Sequence, residues 1–111
     1  MGLIDLSNCT SFVNVTPEAG SMVTYNIALE RIFEHAPYGS SMEASLWRNK
    51  HSYRFWVEIT SALGKLTGIA MDSDIDRAVK RLSNELCDRM PDWIKGAAGS
   101  LKRIETEFIL Q

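Results

Sequence analysis

Between Met42 and Thr60 apolar residues recur at every second position, and from Ile75 onward they recur at every third or fourth. Strand side chains alternate faces while helical ones return after about 3.6 residues, so this switch predicts a small sheet followed by a helix. In Met42–Arg48, Met42, Ala44 and Leu46 oppose Glu43, Ser45 and Trp47. In Tyr53–Thr60, Tyr53, Phe55, Val57 and Ile59 oppose Arg54, Trp56, Glu58 and Thr60. Asn49-Lys50-His51-Ser52 has hairpin length, Ala62-Leu63-Gly64-Lys65 reads as the next turn, and Leu66–Met71 as a third strand.

The long helix has the clearest pattern. Ser73 is its expected N-cap, Asp74 and Asp76 sit in its first turn, and Ile75, Val79, Leu82, Leu86 and Met90 form its apolar stripe. Pro91 should end or kink it, since proline lacks the donor and clashes with the preceding turn. An earlier helix is expected to start at Thr16-Pro17-Glu18, with Thr16 as N-cap and Pro17 in the first position, and to stop at Pro37 and Gly39. Leu3–Leu6 reads as an N-terminal strand that Phe12–Val15 continues. The order β-α-β-β-β-α predicts an α+β two-layer sandwich, with two helices on one face of a four-stranded, mainly antiparallel sheet. Residues 1–95 form that single domain. Residues 96–111 form a flexible joint, Gly96–Ser100, and a tail whose alternation over Arg103–Phe108 favours an appended strand.

Composition narrows the function. A formal net charge of −2 over 111 residues argues against nucleic-acid binding by bulk charge and leaves room for a local basic patch. Cys9 and Cys87 are too few for a disulfide framework or a metal site, and read as reduced, packed residues. No apolar run has the roughly 18 residues of a membrane span. Met1-Gly2-Leu3-Ile4-Asp5 lacks the flank and core of a signal peptide, so a cytoplasmic protein is expected. Catalysis, cofactor and metal are not expected. His35 and His51 stand alone in the sequence, no glycine-rich phosphate loop is present, and Asp72-Ser73-Asp74-Ile75-Asp76 lacks the Gly and Glu that a calcium loop requires later.

Two groups of residues are candidates for binding. If Phe55, Val57 and Ile59 face the helices, Arg54 and Trp56 face away, with Trp47, Arg48 and Lys50 on or beside the neighbouring strand. Aromatic rings beside cations suit unpaired bases and phosphates. The same rings suit a protein partner or a second copy of the chain, giving a homodimer through the sheet face. The second group is Arg77, Lys80 and Arg81, early in the long helix. It reads either as a phosphate clamp or as a solvated face, since Asp76 lies four residues before Lys80 and Glu85 four before Arg89.

These segments together resemble one family. Val15-Thr16-Pro17-Glu18 opening a helix that ends Arg31-Ile32-Phe33-Glu34, then Gly64-Lys65-Leu66-Thr67-Gly68-Ile69-Ala70, then Asp74 and the helix carrying Ala78-Val79, Leu82 and Leu86, is similar to the ribosome hibernation-promoting factors. The resemblance covers about residues 2–95. It implies a non-catalytic stress-response protein that binds small-subunit rRNA, occupies the mRNA and tRNA path and silences translation, with basic helix residues on the phosphates. The long helix departs from that pattern with Glu85, Asp88 and Asp92, and the first helix offers only Arg31 as a cation. Two alternatives stand beside it: a protein-interaction module on the same fold that has lost rRNA binding, and a divergent double-stranded RNA-binding domain. The latter shares the α-β-β-β-α order, but its lysine-rich helix start is replaced here by Ser73-Asp74-Ile75-Asp76.

Overall fold

The structure, a computed structural model, describes residues 12–100 and 104–111, with the backbone alone for 97–100. The strand expected at Leu3–Leu6 lies outside them, as does Cys9. The elements are β1 (Val13–Asn14), α1 (Ala19–His35), β2 (Ser41–Arg48), β3 (Tyr53–Ser61), β4 (Gly64–Asp72), α2 (Ile75–Ser100) and β5 (Ile104–Leu110). The strands form one five-stranded sheet in the order β1-β2-β3-β4-β5. The fold is α+β as expected, and among the described residues the sheet has five strands rather than four, the fifth formed by the tail in which an appended strand was favoured. The pairings β1–β2, β2–β3 and β3–β4 are antiparallel, and β4–β5 is parallel.

The largest departure from expectation lies in the crossover that leads to the parallel strand. A parallel neighbour needs a crossover that carries the chain back along the sheet. β4 spans about 30 Å at 3.3 Å per residue. A helix stopping at Pro91 would cover only about 24 Å at 1.5 Å per residue, whereas α2 with its 26 residues covers about 39 Å. The helix runs through Pro91 and through the segment Gly96–Ser100 expected to be a joint. Pro91 is exposed, so the carbonyl that its missing N–H leaves unbonded, that of Cys87, belongs to the turn beneath an exposed residue.

Local capping also differs from the sequence reading. Asp74, not Ser73, caps α2: its Oδ1 accepts the N–H groups of Asp76 at 2.9 Å and Arg77 at 3.4 Å. α1 begins at Ala19 with Glu18 in the cap position and no side-chain cap bond, so Thr16 and Pro17 precede the helix. Its end agrees with expectation, with Ala36 extended and Gly39 at φ +80°.

One core joins both helices to one face of the sheet. Ala28 and Ile32 of α1, Val79, Leu82, Leu86 and Met90 of α2, and Leu46, Phe55, Val57, Ile59 and Leu66 of the strands are all buried. The alternation drives this arrangement, because burying one residue in two of each strand fixes which face the helices cover. Two glycines allow the close approaches. A Cβ on Gly68 would stand 2.8 Å from Leu82 Cδ1 and 2.8 Å from Phe108 Cζ. Gly64 has φ +134°, and a Cβ there would collide with the backbone of Ile104 where β5 begins. No described helix is long and apolar enough to cross a membrane.

Candidate functional site: the open face of the sheet

The pairing register sorts the outward side chains into rows that run across the strands. Asn14, Trp47, Arg54 and Met71 form one row. Next to it lie Ser45, Trp56, Ile69 and Ile109. The third row holds Glu43, Glu58, Thr67 and Glu107, and the fourth Ser41, Thr60, Lys65 and Glu105. Successive rows are two residues, roughly 7 Å, apart along a strand. An apolar half thus borders an acidic half.

The apolar half is built around Arg54. Its guanidinium carbon lies 4.2 Å from the Trp47 ring centroid and 4.4 Å from that of Phe12, so the cation is held between two aromatic faces. The indole N–H of Trp47 is enclosed without an acceptor among the described residues. Trp56, Ile69 and Met71 are half-buried and Ile109 is 53% exposed.

In the acidic half Glu43 and Glu58 are direct cross-strand partners. Like charges so placed repel. Thr67 Oγ1 donates to Glu58 Oε1 at 3.4 Å, and Lys65 Nζ lies 4.0 Å from Glu58 Oε2. Lys65 is the one cation in the two acidic rows, beside four carboxylates.

The structure brings Trp47, Arg54 and Trp56 together as expected and separates the remaining candidates. Lys50 is exposed in the β2–β3 turn, which Asn49 Oδ1 organises by accepting the N–H groups of His51 at 2.9 Å and Ser52 at 2.8 Å. Arg48 points to the helical side and lines a cleft of about 380 Å³ with Thr16, Ser21 and Tyr53. Arg77 and Arg81 converge on Asp72. Arg77 Nε donates to both carboxylate oxygens at 2.8 and 2.9 Å, and Arg81 Nη1 donates to Oδ2 at 3.2 Å. Arg81 Nη2 also reaches the Gln111 carbonyl oxygen at 2.8 Å. These bonds, led by that of Arg77, hold the Asp72 carboxyl well below the usual carboxylate range. Arg77 and Arg81 therefore form a structural clasp. Lys80 departs from them into the groove between the helices, and the intrahelical pair with Asp76 is not formed among the described residues, whereas Arg89 meets Glu85 at 2.6 Å.

Sequence reading missed several residues. Phe12, Ile69, Met71 and Ile109 complete the apolar half, and Glu107 extends the acidic row. The register that places them depends on β5, whose parallel pairing has no local signature. Cys87 also lies near His35, with Sγ 3.7 Å from Nδ1, although 52 positions separate them. This pair is not an activated nucleophile. His35 Nδ1 is 2.8 Å from the Arg31 carbonyl oxygen and so carries its proton there as a donor. Burial meanwhile pushes the Cys87 thiol upward.

Among the described residues no group of three or more His, Cys, Asp or Glu side chains is placed to hold a metal ion. Comparisons of the chain with protein-family models, with curated proteins and with solved structures found no match.

Proposed function

We propose that the protein is a non-catalytic cytoplasmic interaction module whose open sheet face receives a basic, apolar segment of a protein partner. The observation that carries this reading is the acidic row Glu43–Glu58–Thr67–Glu107 lying directly beside the apolar row Trp56–Ile69–Ile109. A segment with an aliphatic or aromatic side chain on Trp56 and Ile69, and a lysine or arginine about 7 Å away, complements both rows at once. It would relieve the repulsion between Glu43 and Glu58. A second copy of the chain fits less well. Stacking two such faces leaves the carboxylates with few cations, because Lys65 is alone in the acidic rows and Arg54 is enclosed by Phe12 and Trp47.

The second reading is the one the family resemblance implies, association with small-subunit rRNA and translation silencing. It is supported by Trp47, Arg54 and Trp56 sharing a face, with Lys50 in the adjoining turn. The acidic row works against it by repelling phosphate, and Arg77 and Arg81 are engaged with Asp72.

One experiment separates the two. An extended peptide of alternating lysine and leucine is titrated into the protein while tryptophan fluorescence and backbone amide shifts are followed, beside co-sedimentation with small ribosomal subunits at low and moderate salt. The interaction reading expects saturable shifts along β3 and β4 that Glu58→Lys weakens, with no pelleting. Salt-sensitive pelleting lost in an Arg54→Glu/Trp56→Ala variant would overturn it in favour of the ribosome.

A further inference from the structure

The helical layer has a second, chemically different concavity. A groove of about 320 Å³ separates α1 from α2, at the lower end of the roughly 300–1,000 Å³ typical of small-molecule sites. Ile27 and Ala28 give it an apolar wall, and Ile27 is 59% exposed although it is a large aliphatic residue. Arg31 comes from α1 and Lys80 from α2, and no carboxylate among the described residues lines the groove. Arg31 donates to the neutral Asn84 Oδ1 at 2.7 Å, and neither cation has an ion-pair partner among the described residues.

Ser83 gives the groove its polarity at depth. It is only 2% exposed, and its hydroxyl, close to the Cys87 thiol, makes no well-formed hydrogen bond among the described residues. A buried hydroxyl without a partner is costly and is satisfied when a ligand supplies an acceptor. Two uncompensated cations, an enclosed donor and an apolar wall call for a ligand with one anionic end and one apolar end. A phosphate or another compact anion would leave the wall of Ile27 and Ala28 wet, and an uncharged hydrocarbon would leave both cations unanswered.

We infer that the α1–α2 groove is a binding site for a small amphiphilic carboxylate, an aliphatic or aryl acid. Its apolar body lies on Ile27 and Ala28, and its carboxylate accepts hydrogen bonds from Lys80, Arg31 and the Ser83 hydroxyl. The site lies on the helical layer and is independent of the sheet face and its partner.

The test is a titration of the ¹⁵N-labelled full chain with octanoate, with acetate and octan-1-ol as probes of the two ends taken separately. Octanoate is expected to shift the amides of Ala28 and Ser83 saturably, while acetate and octan-1-ol bind far more weakly. Lys80→Glu, at an exposed position that tolerates the change, should weaken octanoate by about tenfold. Ser83→Ala should weaken it as well, and a thermal melt of each variant confirms its folding. Equal binding of octan-1-ol and octanoate, an unchanged affinity in Lys80→Glu, or shifts confined to β3 and β4 would each overturn the assignment. So would the absence of octanoate shifts at millimolar concentration.

Discussion

Arg54 stacks on Trp47, its direct cross-strand partner, at 4.2 Å from guanidinium carbon to ring centroid, and so ties β3 to β2 on the outer side of the sheet. The contact joins charge, ring and stem packing in one place. Replacing Arg54 by Ala should cost about 0.5–1 kcal/mol for the half-buried cation–π contact. A chemical denaturation series should show Arg54→Lys retaining part of that loss. No change in midpoint for Arg54→Ala would mean that the stack is incidental.

Gly68 is the point where β4 admits both Leu82 of α2 and Phe108 of β5. Gly68→Ala places a methyl 2.8 Å from each, an overlap that forces the neighbours to move. A loss of about 1–3 kcal/mol is expected from overpacking, read as a lower urea midpoint. A further drop for Gly68→Val would tie the effect to size.

Pro91 sits inside α2 on an exposed turn. Pro91→Ala restores the N–H donor for the Cys87 carbonyl and should stabilise the protein, by up to about 3 kcal/mol on the scale of proline in helix interiors. A thermal melt decides the sign, and a destabilised variant would show that the proline holds a needed bend.

The Asp72 clasp sets a pH dependence. Its carboxyl is held low by Arg77, the Asp74 N–H and Arg81, so the native state binds fewer protons there than the unfolded chain. Stability rises with pH wherever the unfolded state binds more protons. The contribution of Asp72 is therefore complete above the unfolded carboxylate value of about 3.9 and is lost progressively as pH falls below it. The gap in denaturation midpoint between wild type and Asp72→Asn should be full at neutral pH, narrower near pH 3, and should close only as pH falls through the lower native value of the carboxyl.

Glu43 and Glu58 give a prediction of opposite sign. Relieving the cross-strand repulsion with Glu43→Gln should raise stability by about a few tenths of a kcal/mol at low salt, and less as salt screens the pair. The same change should weaken the lysine–leucine peptide if the acidic row is the docking surface. A variant that gains stability and loses nothing in binding would separate the row from function.

The strands of the meander were legible because their alternation is local: Phe55, Val57 and Ile59 announce one face and Arg54, Trp56 and Glu58 the other. The stripe from Val79 to Met90 announced α2 in the same way. Its length was not legible, because Pro91 and the Gly96–Ser100 run read locally as a stop, yet the helix continues through both. Capping failed by one residue at α2, where Ser73 and Asp74 are both good caps and only the backbone path chooses between them. At the candidate site the sequence identified Trp47, Arg54 and Trp56 through parity along β2 and β3. It read Arg77, Lys80 and Arg81 as a second group, a phosphate clamp or a solvated face, since nothing local marks Asp72 as the common acceptor of the two arginines. The groove residues Arg31 and Ser83 come from different helices, so only tertiary packing makes them neighbours.

The docking of β5 also decides what the sheet presents to other molecules at that side. Without it the outermost strand would be β4, uncharged from Leu66 to Met71 and ready to pair with any extended chain. With it the border carries Glu105 and Glu107 within seven residues. Two copies that meet border to border bring like charges together before a single backbone bond can form. Sheet growth from molecule to molecule, the first step toward a fibril, is opposed there by the same two glutamates that lie on the open face.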